Sequence, residues 1–126
     1  MDAHEKERLY QKGLEAFNSS QFFEAHELWE DVWRETPGPD KKFLQGLIQV
    51  AAAFHHHSRA NLLGMQRQLQ AGLLKLEAFP EVHGELEVEP LRHAVRGWLA
   101  AIASGAVPKE MQPPRISRPR KTQRGS

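Results

Sequence analysis

The stretch Phe22–Arg34, FFEAHELWEDVWR, decides the fold of this 126-residue chain. At about 100° per residue, Phe22, Ala25, Leu28, Trp29, Val32 and Trp33 make one continuous apolar arc, the signature of a helix that buries one side. The same stretch carries two of the three tryptophans. His26 and Glu30 stand four residues apart at the edge of the arc, bracketed by aromatic rings rather than lying among Glu24, Asp31 and Glu35 on the wet face. A histidine and a carboxylate so placed lose hydration on folding, and something must compensate them.

Helical spacing extends outward from this stretch in both directions. Upstream, Leu9, Tyr10, Gly13, Leu14 and Phe17 form a stripe over residues 2–18. Ser20 is read as the N-cap of the Phe22 helix, and Pro37-Gly38-Pro39 as its stop. Downstream, a third helix from Lys41 to about Ser58, capped by Asp40, is apolar almost all round and therefore expected at the centre of the fold. A fourth runs from about Ala60 to Phe79, with Leu62, Met65, Leu69, Leu73 and Leu76 on one face. Asn61 at its start is read as a cap or a ligand rim contact. Residues 81–89 read as an acidic loop. Pro90 opens a fifth helix bearing Leu91, Val95, Trp98, Leu99 and Ile102, with Gly105 just past its end. No stretch alternates with period two long enough to be read as a strand. The expectation is an all-α, compact bundle of about five helices in a single domain over residues 1–107.

Residues 108–126 read differently. They hold six basic residues (Lys109, Arg115, Arg118, Arg120, Lys121 and Arg124) against Glu110, a net +5 that leaves −4 for the preceding body, given +1 for the whole chain. Proline, arginine and polar residues without periodicity predict an extended, mostly disordered tail. Such a tail either solubilises or contacts phosphate, and no RNA-recognition signature accompanies it. The absence of cysteine removes disulfides, thiolate metal sites and cysteine nucleophiles, and fits a cytoplasmic protein. No apolar run nears 18 residues, so no membrane partner is expected.

Two resemblances follow from these residues. Gly13, Phe22, Ala25, Trp29, Val32 and Pro37 fall where a tetratricopeptide hairpin places its small, aromatic and proline positions, but the pattern does not recur one period later, which favours convergent hairpin packing. More broadly, FNSSQFFEAHELWEDVWRE followed by LQGLIQVAAAFHHHSRANLLGM resembles the small all-helical family known as domain of unknown function 309, over roughly Leu9 to Leu76. That resemblance implies an all-α fold with the two motif helices packed together, and no established activity.

On the third helix, Gln45, Gln49 and His56 lie within about 40° of one another, the one polar stripe on an apolar rod. Facing stripes would bring His26, Glu30, Gln49 and His56 together as candidate ligand-binding residues. Three readings stay open: a self-satisfied network that fixes helix register, a small-molecule site in which His26 or Glu30 acts as acid or base, and a divalent-metal site (zinc, manganese or iron) from His26, Glu30 and His56. The order of residues in EAHE does not match the HExxH pattern, and His55 and His57 diverge from His56 by about 100° each, so the histidine run is not itself a metal motif. His4, His83 and His93 carry no assigned role. Whether the chain is an enzyme is open; the alternative is a hairpin interaction module whose tail contacts a partner or RNA, or a homodimer that buries a remaining apolar stripe.

Overall fold

The computed structural model describes residues 1–120. It contains α1 (Ala3–Asn18), α2 (Phe22–Arg34), α3 (Pro39–Ser58), α4 (Leu62–Leu76), a two-residue hairpin of β1 (Val82–His83) and β2 (Leu86–Glu87), and α5 (Val88–Ala103). The five-helix all-α expectation is met. The hairpin was read as loop: its strands pair antiparallel, Val82 with Glu87 and His83 with Leu86. Two residues per strand are too few for any alternation to register.

Helix ends depart from the sequence reading in instructive ways. Ser20 does not cap α2; it closes α1. It adopts φ 61°, its N–H reaches Phe17 O, and the Gln21 N–H returns to Ala16 O at 2.8 Å, a Schellman stop built on serine. Ala60 does the same for α3, at φ 57°. Asp40 does not cap α3, which begins at Pro39 after Gly38; the aspartate lies in its first turn. Asn61 is a cap, its Oδ1 accepting from Gly64 N at 2.9 Å.

Aromatic rings tie the bundle together. Phe17 of α1 meets Phe22 and Trp29 of α2 at 5.1 and 5.9 Å, Phe22 meets Phe54 of α3 at 5.5 Å, and Phe54 meets Trp98 of α5 at 5.3 Å. Offset and edge contacts of this kind stabilise beyond the area they bury. The α1–α2 hairpin closes because Gly13 has no side chain: a Cβ there would fall inside the Trp29 indole, whose Nε1 donates to Tyr10 O. Gly46 and Gly72 let α3 and α4 approach closely, a Cβ at either falling 3.0 Å from its nearest neighbour. α3, with nine buried residues and neighbours on both sides, is the central rod that its composition implies.

Among the described residues Arg92 is the one buried charged side chain, and its Nε and Nη1 are engaged. Its guanidinium donates to the carbonyls of Leu76 and Phe79 and to the Glu89 carboxylate, closing the C-terminal end of α4. A cation at that end also meets the negative pole of the helix. Residues 108–120 have no helix or strand, in keeping with an extended segment, yet the stretch is docked. Ile116 is buried, its backbone exchanges two hydrogen bonds with the Asn18 amide, and Ser117 O accepts from Glu87 N. One isoleucine among arginines and prolines leaves no periodic trace, so the sequence alone did not foresee the anchor. Lys121 and Arg124 lie outside the described residues. Among the described residues no helix is long and apolar enough to cross a membrane.

Candidate functional site

Three helices enclose a recess of about 190 Å³, open on one side. α2 contributes His26, Glu30 and Trp33; α3 contributes Gln45, Ile48, Gln49 and Ala52; α4 adds Gln68. On α2 the polar contributors follow i, i+4, i+7 spacing and on α3 Gln45 and Gln49 follow i, i+4, so two stripes face each other across the helix pair. The local sequence compels this. The apolar arc of α2 is seated by Ala25 and Trp29, both wholly buried, and its edge residues are carried to the rim against α3.

The polar groups of this recess are poorly matched to one another. His26 Nε2 is 3.6 Å from Glu30 Oε2, and His26 Nδ1 is 3.5 Å from Glu27 Oε1; both lie beyond ordinary hydrogen-bond length. Glu30 instead accepts from Arg34 at 2.9 Å, and Arg34 also holds Asp31 at 2.7 Å. Four buried side-chain polar atoms lack a hydrogen-bond partner among the described residues: Gln11 Oε1, His26 Nδ1, Trp33 Nε1 and Gln49 Oε1. Three of those four belong to residues that line this one recess. Leaving a buried donor or acceptor unpaired costs about 1–3 kcal/mol each, so the walls of this recess carry an uncompensated cost.

His56 does not line that recess. It lines an adjoining recess of about 260 Å³ with Phe23, His55, His26, Ala52 and Gln68. Its Nδ1 lies 3.2 Å from the Asn61 amide nitrogen, which commits the imidazole to the α3–α4 turn. The four candidates therefore fall in two adjoining recesses joined by His26: Glu30 and Gln49 line the first with it, and His56 lines the second with it. Among the described residues no three His, Cys, Asp or Glu side chains form a group able to hold a metal ion. The division between the recesses is axial: His56 lies two turns beyond Gln49 along α3, at the level where the chain turns into α4.

Trp33 and Gln68 were missed. Trp33 was assigned to the apolar arc, and it does pack: Lys41 Nζ sits 4.0 Å over its ring and donates to its carbonyl. Its spacing from His26 and Glu30, together with an indole N–H that needs a partner when buried, was the available signal. Gln68 sits on a third helix, and no spacing within α2 or α3 points to it.

With the fold and recess described, part of the chain is found to be similar to known proteins. Residues 10–68 match the family described as Domain of unknown function (DUF309). The resemblance read from the sequence is thus borne out, and every residue lining the three-helix recess lies inside the DUF309 segment. A protein of Bacillus subtilis (strain 168), named Uncharacterized protein YpuF, is 38% identical over 58 residues, covering 45% of this chain and 33% of that protein. The matched stretch thus spans a third of the relative's length. Neither the DUF309 description nor the relative's name specifies an activity.

Proposed function

We propose that the recess between α2, α3 and α4 is a binding site for a small polar molecule, contacted by His26, Glu30, Trp33 and Gln49. The observation that carries this reading is that three residues lining one small concavity, His26, Trp33 and Gln49, each hold a buried polar atom without a partner among the described residues. Native proteins pair nearly all such atoms, and exceptions that cluster ask for a ligand. A register-fixing network would need His26, Glu30 and Gln49 to bond one another, whereas Glu30 is turned to Arg34 and the Gln49 oxygen meets nothing.

Thermal-shift screening of purified protein with small polar metabolites tests the reading. Stabilising compounds are expected for the wild type, with the shift abolished in both His26→Ala and Gln49→Leu. A library in which every stabiliser acts equally on wild type and variants would sink it.

A further inference from the structure

Two helix faces run unbroken through both recesses around His26. On α2 the face is Phe23, His26, Glu30 and Trp33, at i, i+3, i+7, i+10 spacing; on α3 it is Gln45, Gln49, Ala52 and His56, at i, i+4, i+7, i+11. Each covers about 15 Å at ~1.5 Å per residue. The helices run antiparallel: Phe23 meets the His55 ring at 5.3 Å at one end, and Lys41, at the start of α3, donates to the Trp33 carbonyl at the other. His26, Ala52 and Gln68 line both recesses, so at the waist between them α3 offers only a methyl group. Recesses of about 190 and 260 Å³ each fall short of the ~300 Å³ at which small-molecule pockets begin, and joined they enter that range.

The two ends differ in chemistry. Rings line the second recess: Phe23, half exposed, stands beside His55 and lies 6.3 Å from the His26 ring, near parallel to it at 18°. Such a wall holds a flat ring by stacking and edge contact. His56 adds a donor of fixed tautomer. Asn61 Oδ1 accepts from Gly64 N, which turns its amide nitrogen to His56 Nδ1 at 3.2 Å; Nδ1 accepts, and the proton of the neutral imidazole is on Nε2. His26 and His56 are both partly exposed, and the Nε2 of each has no hydrogen-bond partner among the described residues. The first recess has Glu30, Gln45 and Gln49 along it. Arg34 takes Glu30 Oε1 at 2.9 Å and leaves Oε2 without a hydrogen bond. Carboxylate and amide groups together suit hydroxyls, which both donate and accept.

We infer that the two recesses form one cleft for a single elongated molecule, a flat heteroaromatic ring carrying a hydroxylated arm, the chemistry of a nucleoside. The ring lies at the Phe23 end and the arm at the Glu30 end, an assignment that rests on the binding-site reading above.

Calorimetric titration of the full chain with the four common ribonucleosides, their free bases and ribose tests this. At least one nucleoside is expected to bind tenfold or more tighter than its own base, with ribose weaker than either. Phe23→Ala, at an exposed ring, should weaken base and nucleoside alike by about tenfold, the size of one stacking contact. Ala52→Leu, which narrows the waist, and Gln45→Ala, at the arm end, should each weaken the nucleoside and leave the base unchanged. Absence of nucleoside binding, or a nucleoside no tighter than its base, overturns the single cleft. The two readings separate in the thermal-shift screen: a stabiliser lost in Gln49→Leu and kept in Phe23→Ala and Ala52→Leu leaves the binding site standing and removes the elongated ligand. A screen in which no stabiliser responds to His26→Ala or Gln49→Leu removes both.

Discussion

Two recesses in this protein look alike in outline and differ in what their polar groups do. The first is the α2–α3–α4 recess already described. The second, of about 280 Å³, lies between the start of α1, the end of α2, the start of α3 and the β1–β2 turn. In the second, every polar side chain but Glu85 has a partner among the described residues. Tyr10 donates to Gly84 O at 2.8 Å, Lys6 to Glu35 O at 2.9 Å and Thr36 to Val32 O at 2.6 Å, while Asp40 meets His83 Nε2 at 2.9 Å. Phe43 and Phe79 flank His83 at 4.7 Å each. Those bonds join segments up to 74 residues apart in sequence, so this recess is a seam that fastens the hairpin to the helices. The larger concavity is the structural one. Satisfaction of polar groups, rather than volume, separates the two.

The contrast is sharpest in how each region responds to substitution. Phe43→Ala should cost about 3–5 kcal/mol by urea denaturation, because a buried ring that anchors the seam is lost and a cavity remains. A cost under 1 kcal/mol would mean that the seam does not hold the hairpin. Tyr10→Phe should cost about 1 kcal/mol through the lost bond to Gly84 O.

Tyr10 also sets a pH dependence. Burial, aided by the nearby Glu7, Glu85 and Asp40 carboxylates, raises its phenol pKa well above the ordinary 10.0. The folded state therefore keeps the neutral form while the unfolded chain ionises. The associated stability is complete below about pH 10 and declines as pH rises above it. Tyr10→Phe should flatten that alkaline decline, and an unchanged slope in denaturation midpoints from pH 9 to 11 would contradict the assignment.

At the other recess the sign should reverse. Gln49→Leu removes an unpaired buried acceptor and should leave stability unchanged or raise it by up to about 1 kcal/mol. A loss larger than 1 kcal/mol would erase the distinction between the two regions. The smallest effect belongs to Asp40→Asn. Its pairing with His83 is largely solvent-exposed and the aspartate sits in the first turn of α3, so about 0.5 kcal/mol is expected, fading in 1 M salt.

Much of the fold could be read from the chain, and the reasons are local. The apolar stripe of Phe22–Arg34, the all-round apolarity of α3, Gly13 opposite Trp29 and the stop at Pro37-Gly38-Pro39 all act within a few turns. Helical periodicity carries that information directly. The cap at Asn61 was equally legible. Ser20 and Asp40 were not, because a serine in the left-handed region and an aspartate engaged with His83 look in sequence like ordinary N-caps.

The candidate site divides along the same line. Sequence alone determined that His26 and Glu30 share the edge of an apolar arc and that Gln45 and Gln49 form a stripe on the central helix, since both follow from 100° per residue. Tertiary structure decided the rest. It placed Trp33 and Gln68 in the recess and carried His56 past it to Asn61. It pinned Ile116 against Asn18. Each of these depends on how far helices slide along one another and where a distant segment docks, quantities fixed by packing across the whole bundle and absent from the period of any single helix.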